Sequence, residues 1–404
     1  MREENYVNLV LIGDVGVVND TIHIGDEAMF EEFVLQARAH GAARIVGISS
    51  APADTAARYD IDAIDRIGFA FTGSDARLQM RDRRERVLRA ASGDSTQLSP
   101  EDTAWAVIDA IRSADAVAVA GGGNLASTWP LHIAERATIG ALAALFGKPF
   151  VVSGQTIGPE LTLGDAALVT QLLSSAALVG LREATSLALT ERLGVDPAKL
   201  NHTVDDASFL GSATGIRPAI LVTFSTHLGG ADRDAVVARA AELLDGLADA
   251  SGFPIEFLAH FGSTIPGVVT GDAVLHAAIA ERMSAPSVQI TPTTAVAAAD
   301  LARTASLVLT SRYHPAVFAT AAGVPTIGIS VDEYTSVKLT GALGNFGQDS
   351  VLPIAALVAG GGTALANRVW AERDSIGAAA IPVIEAQSAA SASWWDRVFA
   401  ALAG

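Results

Sequence analysis

SLVLTSRYHPAVFATAAGVPTIGIS (306–330) opens with an apolar run, turns through Arg312 and His314, continues as small helical residues and ends in a second apolar run. Two apolar runs joined by one helical segment form a parallel strand–helix–strand unit, because parallel neighbours need a crossover connection. The same alternation extends in both directions. Within and upstream of it, Ala219 to Phe224, Ile255 to His260, Val288 to Ile290 and Leu307 to Thr310 read as strands. Arg233 to Ala250 and Ala295 to Ala305 read as helices between them. In the first half, Val7 to Ile12, Arg44 to Ser49, Ala116 to Ala120, Phe150 to Ser153 and Ala177 to Leu181 read as strands. Helices are expected at Asp26 to His40, Ala76 to Ala91 and Pro100 to Ser113.

Two such series in 404 residues exceed one hydrophobic core. The fold class is therefore α/β, with two Rossmann-like domains facing a cleft. SATGIRP (212–218) is rich in turn formers and marks the boundary. The expected parts are an N-terminal domain over 1–212, a C-terminal domain over 213–385 and an amphipathic, aromatic C-terminal helix over 386–404. Open α/β sheets bind ligands outside the carboxyl ends of their strands, so residues just after strands carry the search for a site.

Composition narrows the function. The net charge is −17, with only 27 Lys and Arg, which argues against nucleic acid and anionic membrane surfaces. Each basic residue in an apolar, Gly-rich setting then points to a specific anion. With no cysteine, disulfides, thiolate metal sites and thiol nucleophiles are excluded. The start, MREENYVNLVLIGD, lacks the basic end and long apolar stretch of a signal peptide. No apolar run reaches the ~20 residues that span a bilayer, so a cytoplasmic protein is expected. The histidines show no metal-ligand spacing, and no metal is expected.

Several segments follow strands. Gly121, Gly122, Gly123 and Asn124 end a buried strand and read as a loop whose N–H groups cradle an anion, against the alternative of a tight packed turn. In SGQTIGPE (153–160), Gln155 and Thr156 either donate to a ligand or satisfy loop backbone. Arg182 follows another strand as an anion clamp, or pairs with Glu183 or Asp206. Asp26 and Glu27, at a helix start, suit the macrodipole as readily as catalysis. Arg312 and His314 put a forked anion donor beside a proton carrier at one strand–helix junction, and Lys338 is a third anion contact or a solvated lysine. GDVGVVND (13–20) has Val18 where a dinucleotide fingerprint needs a small residue, and the second strand ends in Ser49 and Ser50 instead of an acid, which weakens a dehydrogenase reading.

Taken in order, GDEA (25–28), GGGN (121–124), GQTIGP (154–159), REATS (182–186), VDDASFL (204–210) and SRYHPAVFATAAGVP (311–325) resemble the polysaccharide pyruvyltransferase family over about three quarters of the chain. The resemblance implies a GT-B-like fold and transfer of the pyruvyl group of phosphoenolpyruvate to a sugar, commonly as a ketal across two hydroxyls. It implies His314 as catalytic acid, Arg312 and Arg182 on the phosphate and carboxylate of the donor, and Asp26 toward the acceptor. Phosphoenolpyruvate is then a donor substrate, and no cofactor is expected. Relatives carry a lysine where this chain has Tyr334; Lys338 lies one helical turn further on. The rivals are a nucleotide-sugar glycosyltransferase of GT-B type, and a non-catalytic binding protein on the same fold. Against the first, Asp332 and Glu333 lie beyond the strand that follows AAGVP. The acceptor sugar, any lipid linkage and the oligomeric state stay open at this level.

Overall fold

The computed structural model describes residues 7–404 and divides into two compact units. The first contains the segment ending at Val17, Met29–Asp206 and Ser391–Gly404; the second contains Val18–Ala28 and Ala207–Ala390. The main crossing thus falls at Asp206/Ala207, before the turn-rich 212–218 segment. Three further crossings follow, at Val17/Val18 and Ala28/Met29 in the N-terminal segment and at Ala390/Ser391 in the C-terminal helix.

In chain order the strands are β1 (Asn8–Ile12), β2 (Thr21–His23), β3 (Arg44–Ser49), β4 (Asp62–Asp65), β5 (Ala116–Val119), β6 (Gly122–Leu125), β7 (Phe150–Ile157), β8 (Leu178–Leu181) and β9 (Leu200–His202). They continue as β10 (Ile220–Thr223), β11 (Ile255–Leu258), β12 (Phe261–Ser263), β13 (Ser287–Ile290), β14 (Leu307–Thr310), β15 (Thr326–Ser330) and β16 (Val351–Pro353).

The sheet of the first unit runs β4-β3-β1-β5-β7-β8-β9, with β6 beside β7, and every described pairing in it is parallel. From β1 the chain builds outward through β3 and β4, then returns to β5 and builds the other way. The strand order therefore reverses between β1 and β5. The second unit repeats the scheme as β13-β11-β10-β14-β15-β16, again parallel, and reverses between β10 and β14. Ligands of doubly wound sheets gather at such reversals.

Helices cover both faces of each sheet, which is why the central strands are apolar without alternation: Ala116–Val119, Ile220–Thr223 and Leu307–Thr310 are buried throughout. The C-terminal helix Arg373–Ala403 ends by burying Trp394, Trp395, Val398 and Leu402 against Phe33 and the β1 strand of the first unit. Among the described residues no helix is long and apolar enough to cross a membrane.

The short strands β2, β4, β6, β9, β12 and β16 have no clear signal in the sequence. Three or four residues are too few for periodicity to show. Of these, β2 and β12 pair antiparallel, Phe261 opposite His23, and bring the segment before GDEA into the second unit.

Candidate active site

In the second unit the site grows from the strand-order reversal. β14 delivers Arg312 as the residue before the helix Tyr313–Thr320, and His314 as the second residue of that helix. Arg312 does not hang free. Its Nε and Nη2 donate to the two oxygens of Asp272, at 3.0 and 2.6 Å, in a forked pair. Asp272 is fully buried and also accepts from the backbone N–H groups of His260 and Phe261. Four donors on one carboxylate make a rigid anchor. The Arg312 side chain keeps 31% of its surface exposed, with Phe261 beneath its guanidinium at 5.9 Å. The edge carrying Nη1 faces away from the anchor and is the part available to an anion.

His314 is 8% exposed and stands against the first turn of the helix Ile24–Ala39, where GDEA begins. A Cβ built on Gly25 would overlap the His314 ring, lying 2.5 Å from Cε1 and 2.8 Å from Cγ. Glycine is therefore needed here for close approach, not for a left-handed backbone. The helix start is held by a hydrogen bond from Ile24 N–H to the carbonyl of His260, 2.9 Å. Asp26 is partly exposed, and its carboxylate lies 3.9 Å from the His23 ring, which stacks on Phe261 at 4.2 Å. A chain of contacts thus links Asp26, His23, Phe261 and Arg312 within the second unit.

Behind these groups lie two more imidazoles. His276 accepts the Phe224 N–H at Nε2 (2.8 Å), and burial pushes its pKa down to about 4. His260 is buried, with neither ring nitrogen hydrogen-bonded among the described residues. Burial first, then His314, Arg312 and His276, hold it well below the usual histidine range. Both rings are neutral at pH 7 and add no positive charge behind His314.

The helix Glu333–Gly344 supplies the remaining cation. Tyr334 and Lys338 share one face of it, as the four-residue spacing predicts, and Lys338 Nζ donates to Tyr334 Oη at 3.2 Å. The ammonium also sits 4.9 Å from the Tyr313 ring, next to His314. It is half-buried and aromatic-flanked rather than solvated. Asp332 is committed elsewhere: it caps this helix and pairs with His227 at 2.7 Å.

Other expectations change in the first unit. Arg182 follows β8 as expected, but it is fully buried. Its guanidinium pairs with Asp205, with Glu183 at 3.2 Å and with Thr156 Oγ1 at 2.8 Å. The ion-pair alternative holds, with Asp205 in place of Asp206. A buried guanidinium already matched by two carboxylates favours the ion-pair reading over that of an anion clamp.

The glycine segment is a strand in part. Gly122–Leu125 is strand β6, paired with β7, and Gly121 N–H donates to Asp206 at 2.9 Å. Of the backbone a phosphate loop would offer, the Gly121 N–H is thus taken by this carboxylate, and Gly122 and Leu125 are in register with β7. Gln155 is fully buried and donates to the carbonyls of Ala120 and Ser153, so its amide satisfies local backbone. Asp206 itself is wedged against Gly121 and Gly154, where any Cβ would meet its carboxylate.

Asp272, His260 and Gly25 are missing from the sequence reading. Gly25 lay inside a quoted motif whose carboxylates drew the attention; Asp272 and His260 had no local signal, because their partners come from other elements.

The chain matches the family model described as Polysaccharide pyruvyl transferase over residues 23–333. No curated protein matches the sequence. Among solved structures it is similar to the glycosyltransferase of kitacinnamycin (12% identity, TM-score 0.57, covering 98% of this chain and 100% of that one). It is also similar to CalG4, the calicheamicin glycosyltransferase (15%, 0.55, 100% and 99%). Arabidopsis thaliana UGT89C1 complexed with quercetin gives 11%, 0.59, 98% and 100%. At these identities the likeness shows the fold, that of GT-B glycosyltransferases with two parallel α/β domains. The family match spans GDEA, the glycine segment and the Arg312–His314 junction, and on it the chain belongs to the polysaccharide pyruvyl transferase family.

Proposed function

We propose that this transferase takes the pyruvyl group from phosphoenolpyruvate and delivers it to a sugar as a ketal. The observation that carries the reading is the Asp272–Arg312 fork beside His314: a pre-oriented guanidinium next to an imidazole, with Lys338 beside the same helix turn. Phosphoenolpyruvate carries a phosphate and a carboxylate, so Arg312 and Lys338 supply the charge it needs. A locked guanidinium loses little entropy when an anion binds.

His314 in its protonated form gives its proton to the methylene carbon, leaving an oxocarbenium-like centre at C2. A sugar hydroxyl adds to that carbon, and its proton passes to a base; Asp26, at the start of the helix that packs on His314, is the candidate. The C2–O bond to phosphate then breaks, and the leaving phosphate takes the proton that the base had accepted. A second hydroxyl adds at C2 and loses its proton, which completes the ketal and returns a proton to the histidine.

Replacing His314 by Ala should cost ~10²–10⁴-fold in pyruvyl transfer while phosphoenolpyruvate still raises the melting temperature. Full activity in a folded His314→Ala variant overturns the assignment. A melting temperature raised by nucleotide-sugars and unmoved by phosphoenolpyruvate favours glycosyl transfer instead.

A further inference from the structure

The strand-order reversal of the second unit holds one more imidazole, which the reaction as written does not use. His227 lies in the loop after β10, and Asp332 follows β15. Their side chains meet, with His227 Nε2 2.7 Å from Asp332 Oδ2. β10 and β15 are not neighbours: β14 runs between them, about 4.8 Å from each. The pair therefore reaches across the carboxyl end of β14, the strand that delivers Arg312 and His314.

The local chain holds it there. Ser225 N–H donates at 2.7 Å to Oγ of Ser311, the residue before Arg312, and His227 N–H donates back to Ser225 Oγ at 3.1 Å. Two residues beyond the histidine, Gly229 has φ +58°, and a Cβ there would run into the Val331 carbonyl. Glycine lets the loop press closely on the segment that carries Asp332. Asp332 Oδ1 in turn accepts from the N–H and Oγ1 of Thr335, both at 2.8 Å. Burial raises the Asp332 carboxyl, but hydrogen bonds from His227 and Thr335 outweigh it and hold the group below the usual carboxylate range, so it is ionised at pH 7.

This pairing fixes what His227 can offer. An ionised carboxylate only accepts, so a ring proton sits on Nε2. Nδ1 is the remaining polar atom, on a side chain 62% exposed. Arg312 is built the same way: Asp272 takes Nε and Nη2 and leaves Nη1. Two groups, each backed by a carboxylate, thus stand at the end of one strand, and Lys338 lies by the helix that starts there, 4.9 Å from the Tyr313 ring.

The charge of the donor calls for a third cation. Near neutral pH its phosphate carries about two negative charges, beside the one on its carboxylate. Arg312 and Lys338 supply two cations, and Arg182, expected as another, pairs with Asp205 and Glu183 in the first unit. A doubly ionised phosphate only accepts, as Asp332 does. An imidazole between the two binds as the imidazolium, with one proton on each nitrogen.

We infer that His227 is a further donor-binding residue: its Nδ1 donates to the phosphate, and Asp332 positions the ring. That the phosphate belongs to phosphoenolpyruvate rests on the reading above; recognition of a phosphate does not.

The test is titration of the full chain with inorganic phosphate, followed by calorimetry and by the histidine ring signals in NMR. The His227 signal is identified by its loss in His227→Ala. Wild type should bind phosphate and its His227 signal should move, an observation independent of how any variant folds. His227→Ala and His227→Phe, at an exposed position, should each weaken binding about tenfold or more. Asp332→Ser keeps a capping hydroxyl; it should weaken binding in wild type and add nothing in His227→Ala. The inference is overturned if wild type binds no phosphate, if the ring signal stays still at saturation, or if either His227 variant binds as wild type does. An equal loss from Asp332→Ser in both backgrounds overturns the positioning role. Thermal shift with phosphoenolpyruvate is run in parallel. Phosphate binding that needs His227, with no shift from phosphoenolpyruvate, sinks the donor reading and leaves this contact standing. A phosphoenolpyruvate shift unchanged in His227→Ala sinks the contact alone.

Discussion

Gly25→Ala tests the contact between the GDEA turn and His314. The added methyl would stand 2.5 Å from Cε1 and 2.8 Å from Cγ of the imidazole, where carbon atoms ordinarily rest ~3.5–4.0 Å apart. The ring must withdraw by about 1 Å or more, or the helix start must slide by the same amount. Neither is easy. His314 is 8% exposed, with the Tyr313 and Phe318 rings at 5.1 and 5.9 Å, and Ile24 is tied to the His260 carbonyl. A displacement of about 1 Å at a reacting group costs on the order of 10²-fold, or ~2.7 kcal/mol of activation free energy. Stability should respond less. Overpacking costs ~1–3 kcal/mol, and Ala in place of Gly in a helix returns up to ~1 kcal/mol. The assay is phosphate release from phosphoenolpyruvate in the presence of the acceptor, beside thermal unfolding and the histidine ring-proton NMR signals. A modest fall in melting temperature, a moved His314 signal and a loss near a hundredfold are expected. A folded variant with wild-type turnover, or an unmoved ring signal, refutes the claim that this contact sets the histidine.

Asp272→Asn removes the charge that locks Arg312 while keeping an acceptor for the His260 and Phe261 N–H groups, so KM for phosphoenolpyruvate should rise about tenfold or more with kcat less affected; an unchanged KM contradicts the anchoring role. Lys338→Ala should likewise raise KM, and Lys338→Arg should restore part of the loss, whereas a surface lysine would leave both constants unmoved. Burial, with Asp205 adding to it, pushes the Asp206 carboxyl up to about 7 against hydrogen bonds from Ser153 and Gly121. Because the folded pKa lies above the unfolded one, its contribution is complete below pH ~3.8 and is lost as pH rises to ~7, by at most ~4 kcal/mol. Asp206→Asn should therefore flatten the decline in stability between pH ~4 and ~7, read by urea unfolding; a slope identical to wild type removes that explanation.

Much was legible before any coordinates. The apolar runs at 116–120, 219–224 and 307–310 required a buried parallel sheet, because strands with no polar face must be covered on both sides. Arg312 and His314 stood out because a strand end and a helix start are encoded within a few adjacent residues. The Tyr334–Lys338 pairing also followed from helical periodicity alone. Side-chain partnership is different, since it depends on which elements the topology brings together. Arg312 meets Asp272 forty residues away, Asp14 meets Arg66 from the end of another strand, and Arg182 pairs with Asp205. A guanidinium looks the same in sequence whether it points outward or into a carboxylate nest; the strand order decides which. Local periodicity determined the class of fold and one junction, and only the tertiary structure decided which charged groups remain available to a substrate.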